Sequence, residues 1–438
     1  MAKICVIGTG YVGLVTGTCF SDMGHFVTCL DIDQERISKL NQGIVPIFES
    51  GLQQLLDQNM AAGRLKFTFS YADALEDAEF VFIAVGTPTS DGGGNADLKY
   101  VKKAAELIAE NLDHDIIIVN KSTVPVGTGE WIAEIISGQL DSNADSFSVV
   151  SNPEFLREGT AVNDFMNPDR VILGSADIEA MDKVANLYQV LRAPILTTDL
   201  RTAEMIKYAS NAFLATRISY INEIANICDA LGANVREVAR GMGMDKRIGT
   251  YFLDAGLGWG GSCLPKDVKA LAHMAESAGA TPHLMHAVME INQNQRIKAV
   301  QNLKNALGTL SGKRICVLGL SFKPNTDDTR EAPALDIIQM LLDNGASVKA
   351  FDPQAMPASK AKIPQLHLGQ DPYDAALDSD ALLLATEWNA FKSLDFVRIK
   401  ENMRGRVILD GRNIWDGIAL QQLGFIYIGI GIPHPKDR

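Results

Sequence analysis

The chain has 438 residues, too many for one ordinary domain, and its 47% hydrophobic and 21% charged content is that of a globular protein with sizeable cores. A formal net charge of −13 argues against nucleic acid or an anionic membrane surface as partner, and no apolar run is long enough to span a bilayer. The opening MAKICVIGTG runs into a strand without a signal-peptide pattern, and six scattered cysteines form neither a disulfide framework nor a CxxC pair, so a reduced, cytoplasmic, metal-free protein is expected.

The first strand is expected over Lys3 to Ile7, followed by Gly8-Thr9-Gly10-Tyr11-Val12-Gly13 and a helix to about Met23. This is GxGxxG between a strand and a helix: one glycine for the tight turn, one for approach of a pyrophosphate, one for close helix–strand packing. The next strand, Val27 to Leu30, ends in Asp31, eighteen residues beyond Gly13. A carboxylate there accepts ribose hydroxyls and repels a 2′-phosphate, which favours NAD over NADP, with Arg36 near the adenosine. Strands are expected at Leu65 to Thr68, Phe80 to Ala84, Ile116 to Asn120 and Phe147 to Ser151. The last three run into Gly86-Thr87-Pro88-Thr89, Ser122-Thr123-Val124-Pro125 and Asn152-Pro153-Glu154-Phe155-Leu156-Arg157-Glu158. In an open parallel sheet ligands bind beyond the carboxyl ends of the strands, so these three segments belong to one edge, facing a dinucleotide. Asp91 to Gly94 reads as a mobile loop.

From about Asp199 to Leu231 a helical pattern continues without Gly or Pro, roughly 50 Å at 1.5 Å per residue. A helix of that length joins domains and offers a dimer surface; on it Lys207 and Asn211 share a face at i, i+4. A helix from Asn234 to Gly241 follows, and Arg247 precedes the stretch Gly256 to Asp267, GLGWGGSCLPKD. There Cys263 stands between a glycine-rich loop and a helix opening at Pro265, where orphan N–H groups and the helix dipole lower a thiol's pKa. Lys266 and Asp267 share the same turn, and Cys263 is read as a catalytic nucleophile. Helices at Pro265 to Ser277 and Leu284 to Leu307 complete an all-α middle. Strands return at Arg314 to Leu318, Ser347 to Phe351 (ending in Asp352), Ala381 to Ala385 and Val407 to Leu409. This third of the chain repeats the grammar of the first, with Lys323, Arg330 and Arg412 offered to phosphates. The expected architecture is α/β: two Rossmann-like, doubly wound parallel-sheet domains (1–198 and 309–438) joined by a central all-α domain (199–308).

An NAD domain together with an activated cysteine defines a narrow chemistry. Loss of hydride from an alcohol gives an aldehyde; a thiolate traps it as a thiohemiacetal, and a second hydride loss gives a thioester that water hydrolyses. A single alcohol oxidation leaves the cysteine with no role.

GTGYVG, VGTPT, STVPVGT, SNPEFLREGTA, EMIKYASNAF, FLDAGLGWGGSCLPKD, SFKPNTDDTRE and DGRN occur in the order and approximate spacing of the nucleotide-sugar dehydrogenases of the UDP-glucose 6-dehydrogenase family, which the chain resembles from end to end. The resemblance implies NAD-dependent, four-electron oxidation of UDP-glucose to UDP-glucuronate by a homodimer built on the central helix. Cys263 would be the covalent nucleophile, Lys207 with Asn211 the oxyanion support, Asp267 the group that orients water, and Thr123 and Glu154 the proton network at C6. The cofactor would contact Gly8, Gly10, Tyr11, Val12, Gly13, Asp31, Arg36, Thr87, Pro88, Thr123, Glu158, Lys266 and Arg330. The sugar nucleotide would lie on Glu154, Phe155, Leu156, Arg157, Lys207, Asn211, Phe252, Leu253, Gly260, Lys323 and Arg412, with Arg247 reaching it across the dimer. The rival readings are a GDP-mannose 6-dehydrogenase with the same cysteine chemistry, an N-acetylhexosamine dehydrogenase, a one-step hydroxyacid dehydrogenase and a nucleotide sensor without activity.

Overall fold

The segment KICVI, Lys3–Ile7 (β1), sends alternate side chains into separate cores: Ile4 and Val6 into one, Cys5 and Ile7 into the other. A strand buried on both faces carries a continuous apolar run, which is how a parallel sheet covered by helices is written in sequence. The computed structural model describes residues 1–90, 94–140 and 146–433, so of the loop expected to be mobile only Gly94 is described.

The chain divides into two compact units, Met1–Ser210 and Asn211–Arg438. In the first, β1 is joined by Phe26–Leu30 (β2), Leu65–Thr68 (β3), Phe80–Ile83 (β4), Ile116–Asn120 (β5), Phe147–Ser151 (β6), Val171–Gly174 (β7) and Ile195–Thr198 (β8). Their order is β3-β2-β1-β4-β5-β6-β7-β8. The first six follow the 3-2-1-4-5-6 order of dinucleotide-binding sheets. Tyr11–Asp22 (α1), Thr128–Ser137 (α2) and Ile178–Tyr188 (α3) are among the helices that cover it. β7 and β8 are additions that the sequence reading lacked. β7 meets β6 antiparallel through Ser151 and Gly174, and β8 is half exposed, so no sustained apolar run marks it.

Leu200–Leu231 (α4) begins in the first unit and continues into the second, matching the expected long helix to within a residue. Val235–Gly243 (α5), Leu264–Ser277 (α6) and His283–Leu307 (α7) follow. The second sheet holds Arg314–Leu318 (β9), Ser347–Phe351 (β10), His367–Leu368 (β11), Ala381–Leu384 (β12), Val407–Asp410 (β13) and Ile426–Gly429 (β14), in the order β11-β10-β9-β12-β13-β14. It repeats the order of the first six strands, all parallel. Asp352 follows β10 as Asp31 follows β2, yet the two differ in use. Asp352 is fully buried and accepts from Leu320 N (2.7 Å), Ser321 N (3.1 Å) and the Trp388 indole (3.1 Å). With a tryptophan over it, this carboxylate locks the β9 turn and offers nothing to a ribose. No helix among the described residues is long and apolar enough to cross a membrane.

Candidate active site

The turn after β1 is built so that backbone comes close to backbone. A Cβ on Gly13 would lie 1.8 Å from the Gly8 carbonyl oxygen, so no other residue fits there, whereas the side of Gly10 is open for 4 Å. Gly10 caps α1, and no acidic residue occupies that helix's first turn, leaving its N–H groups and dipole available to a phosphate. Asp31 Oδ2 accepts from Thr9 N (2.7 Å), Thr9 Oγ1 (2.8 Å) and Arg36 (3.3 Å), and Oδ1 from Asp33 N (3.0 Å). Burial alone raises the Asp31 pKa, but these hydrogen bonds and the Arg36 charge outweigh it and hold the carboxyl below its usual range. The site suits a dinucleotide whose adenosine ribose meets an ionised carboxylate. Val12 packs on the core beside the turn, and Tyr11 Oη accepts from Gly159 N at 2.7 Å, tying the motif to the segment after β6.

The segments after β4, β5 and β6 meet as expected. Thr87 donates to the Thr123 carbonyl at 2.8 Å, and Pro88 O accepts from Asp97 N. Thr123, Ser122, Pro153, Glu204 and Lys207 line one small recess. Glu154 Oε1 and Lys207 Nζ form an ion pair of 3.0 Å, with side chains only 6% and 4% exposed. Glu154 Oε2 also accepts from Leu156 N at 2.5 Å. The Phe155 ring has Arg170 at 3.7 Å on its face and Lys207 Nζ 5.2 Å from its centroid. Arg157 is engaged elsewhere, in a two-pronged pair with Asp164 (3.0 and 2.6 Å) that raises its pKa. Glu158 is half-buried.

In the second unit Cys263 is the N-cap of α6, with Pro265 in the first turn and the thiol 3.5 Å from Ser262 Oγ. Among the cysteines, Cys263 is half-buried while the other five are buried. Asp267, one turn on and 1% exposed, is held by Asn211 Nδ2 on Oδ2 (2.6 Å) and by Lys266 Nζ on Oδ1 (2.8 Å). The loop before the thiol is fixed by close approach: a Cβ on Gly260 would sit 2.2 Å from the Glu331 carbonyl oxygen, and Gly261 N donates to the Arg330 carbonyl at 2.9 Å. Behind it, Asn292 exchanges two hydrogen bonds with the Trp259 backbone (2.7 and 3.0 Å), and Arg296 adds a third at 2.9 Å while pairing with Asp336. Arg412 donates to the Ala385 carbonyl at 2.7 Å and pairs with Glu387 at 3.2 Å. Lys323 lies over the Phe322 ring, Leu253 is buried, and Phe252 takes a left-handed φ of 60°. Arg247 and Arg330 are exposed, each paired at short range with its own neighbour, Asp245 (2.6 Å) and Asp328 (2.7 Å).

Three models of one protein family match this chain in sequence: the NAD binding domain of the UDP-glucose/GDP-mannose dehydrogenase family over residues 2–192, its central domain over 201–294 and its UDP binding domain over 316–417. The chain belongs to the UDP-glucose/GDP-mannose dehydrogenase family. Among the family's members it is 50% identical to UDP-glucose 6-dehydrogenase TuaD of Bacillus subtilis, over all of this chain and 96% of that one. It is 47% identical to UDP-glucose 6-dehydrogenase of Rhizobium meliloti, over 98% of this chain and 100% of the relative. A solved UDP-glucose dehydrogenase from Pyrobaculum islandicum superposes with a TM-score of 0.92 at 38% identity, covering 99% of this chain and 98% of that one.

Two buried ionisable groups of this family member, Glu204 in the recess and Lys121 beside Asn152, escaped the sequence reading. Glu204 caps α2 from α4, accepting from Gly127 N (2.6 Å) and Gly129 N (2.8 Å); burial raises its pKa to about 7 against those hydrogen bonds. Lys121, directly after β5, is buried, and burial lowers its pKa to about 8. Each sits on a helix or strand end where the same residue type is ordinarily solvated, so one sequence held no signal for either. Their weight comes from the neighbours that folding brings.

Proposed function

We propose that the chain oxidises C6 of UDP-glucose to the carboxylate of UDP-glucuronate in two NAD-dependent steps, with Cys263 holding the carbon between them. The observation that carries this reading is the half-buried thiol at the N-terminus of α6, one turn from an Asp267 carboxylate fixed between Asn211 and Lys266. NAD supplies the acceptor for each hydride. Lys207 donates to the C6 oxygen as it gains charge, and Glu154 and Thr123 carry its proton toward water. The Cys263 thiolate then adds to the aldehyde carbon, and the resulting thiohemiacetal loses the second hydride to become a thioester. Asp267 orients the water that hydrolyses it, forming the carboxylate and returning the thiolate.

The uridine reading rests on the match to a UDP binding domain and on full-length relatives named UDP-glucose 6-dehydrogenase. Lys323 and Arg412 serve the diphosphate, and Phe155, Leu156, Arg157, Phe252, Leu253 and Gly260 the sugar nucleotide. Around the cofactor, Gly8, Gly10, Gly13 and Asp31 form the first contacts, with Thr87, Glu158, Lys266 and Arg330 completing them. The three-domain division at 198/199 and 308/309 is part of the same reading, as is a homodimer on α4. Phe213, Tyr220, Ile227 and Leu231 support the dimer, being exposed at spacings of seven, seven and four along one helical stripe. Arg247 then reaches the partner's substrate. A cytoplasmic location follows from the need to keep Cys263 reduced. The test is turnover of UDP-glucose and GDP-mannose side by side. A kcat/KM at least 100-fold higher for UDP-glucose supports the reading, and a preference for GDP-mannose reverses it.

A further inference from the structure

Lys121 is a buried charge that this mechanism leaves without a task. Its Nζ donates to Asn152 Oδ1 at 3.1 Å and to Tyr188 Oη at 3.4 Å, and it lies 5.8 and 6.0 Å from the ring centroids of Tyr188 and Phe165. Tyr188 Oη donates to the same Asn152 oxygen at 2.5 Å, and Asn152 Nδ2 donates to the Ile172 carbonyl at 3.0 Å. Strands β5, β6 and β7 and helix α3 therefore converge on one ammonium. Two residues beyond Asn152 is Glu154, the partner of Lys207. The charges that act on Lys121 are those two, attraction from Glu154 and repulsion from Lys207, with Glu204 as the further titratable group in the adjoining recess. A buried lysine is expensive unless compensated, and here one carboxylate serves two cations.

We propose that Lys121 is a positioning residue of the Glu154–Lys207 pair: held by Asn152 and Tyr188, its ammonium gives the cluster a net positive charge that favours the substrate's C6 oxygen in its anionic form. A neutral pair would solvate an alkoxide through one hydrogen bond and little field. With a second cation behind the carboxylate, the field at the oxygen remains positive in a region that excludes water, where charge is least screened. Burial lowers the Lys121 pKa to about 8, so this field is present near neutral pH and fades in alkali. The proposal rests on the UDP-glucose reading given above and deepens it.

The test is the pH profile of kcat with saturating UDP-glucose and NAD, for the intact protein and for Lys121→Met, with folding checked by a circular-dichroism melt. Removing a cation from beside a buried site raises the proton affinity of the groups that set its pH profile. Both limbs of the profile are therefore expected to move to higher pH by about one unit, the effect of a unit charge near a buried pair. The same change lowers kcat about 10-fold with KM for UDP-glucose nearly unchanged. Glu204 is present in both proteins, so its titration cancels in the comparison. A folded Lys121→Met protein whose limbs do not move overturns the proposal, even if kcat falls, because a distorted turn lowers rate without moving limbs. Lys121→Gln, which keeps a donor for Asn152, is the second variant and is expected to behave as Lys121→Met. If neither variant folds, Lys121 serves the fold and not the charge balance, and the proposal is wrong. If the intact protein turns over no UDP-glucose, it is the substrate reading that has failed.

Discussion

Replacing Glu154 by Gln should destabilise the protein more than replacing its partner Lys207 by Met. The pair is 3.0 Å long with both side chains almost fully buried, so a general rule would assign either loss about 3–5 kcal/mol for the unpaired charge left behind. The third charge breaks that symmetry. Without Lys207, Glu154 still faces Lys121, and the deficit should stay at about 1–2 kcal/mol. Without Glu154, the carboxylate that attracts both buried cations is gone while their mutual repulsion stays, and the deficit should reach about 3 kcal/mol or more near pH 6. The sign with pH follows from linkage. Losing the carboxylate lowers the proton affinity of the lysines in the folded state alone, so the folded variant binds fewer protons and its deficit grows as pH falls. Above pH 8, where Lys121 is already giving up its proton, the two variants should converge. The assay is urea unfolding at pH 6 and pH 9, followed by tryptophan fluorescence and circular dichroism. A Lys207→Met protein less stable than Glu154→Gln at pH 6, or a Glu154→Gln deficit that does not vary with pH, would refute the reasoning. Activity should rank the other way at fixed pH, with Lys207→Met losing about 10²–10³ in kcat as an oxyanion donor does.

Other outcomes follow from single contacts. Gly260→Ala places a Cβ 2.2 Å from the Glu331 carbonyl, so the loop before Cys263 must shift; kcat should fall at least 10-fold, and an unchanged rate would mean the loop is not held where the structure has it. Glu204 has a folded pKa raised by burial to about 7, so its ionisation in the folded state costs stability as pH rises from about 5 to 7.5. Over that range the stability of the intact protein relative to Glu204→Gln should decline, and a flat difference contradicts the assignment. Asp31→Ala should weaken NAD by at least 10-fold while UDP-glucose affinity changes little, as measured by calorimetry; equal losses would count against the ribose role.

Much of the architecture was legible where burial is two-sided, although the short, fully buried β7 was missed. Strands β1, β4, β5, β9 and β12 are apolar runs that end in turn chemistry, and their bounds agree with the structure to a residue or so. Strand β8 was not, because half of it faces solvent, and β11 has two residues. Of the candidate site, the residues that the sequence singled out are those carried by motif: the Gly8–Gly13 turn, Asp31, Cys263 and Asp267. What the sequence could not supply was partnership between distant residues. Nothing in INQNQRI marks Asn292 and Arg296 as the clamp on Trp259, and nothing in VNKST marks Lys121 as buried. The C-terminal repeat of the strand–Gly–helix–strand–Asp pattern was read, without β11 and β14, as a second Rossmann-like parallel sheet, which the structure has. That Trp388 seals its Asp352 could only be seen once the chain was folded.

The claim on which everything else depends is that one chain removes two hydrides from one carbon through Cys263. It is tested most directly by counting NADH formed per UDP-glucose consumed, with the intact protein and with Cys263→Ala. The account requires two NADH and one UDP-glucuronate from the intact protein, and no net acid from the variant. One NADH per sugar, or uronate formed at the normal rate without Cys263, would contradict it.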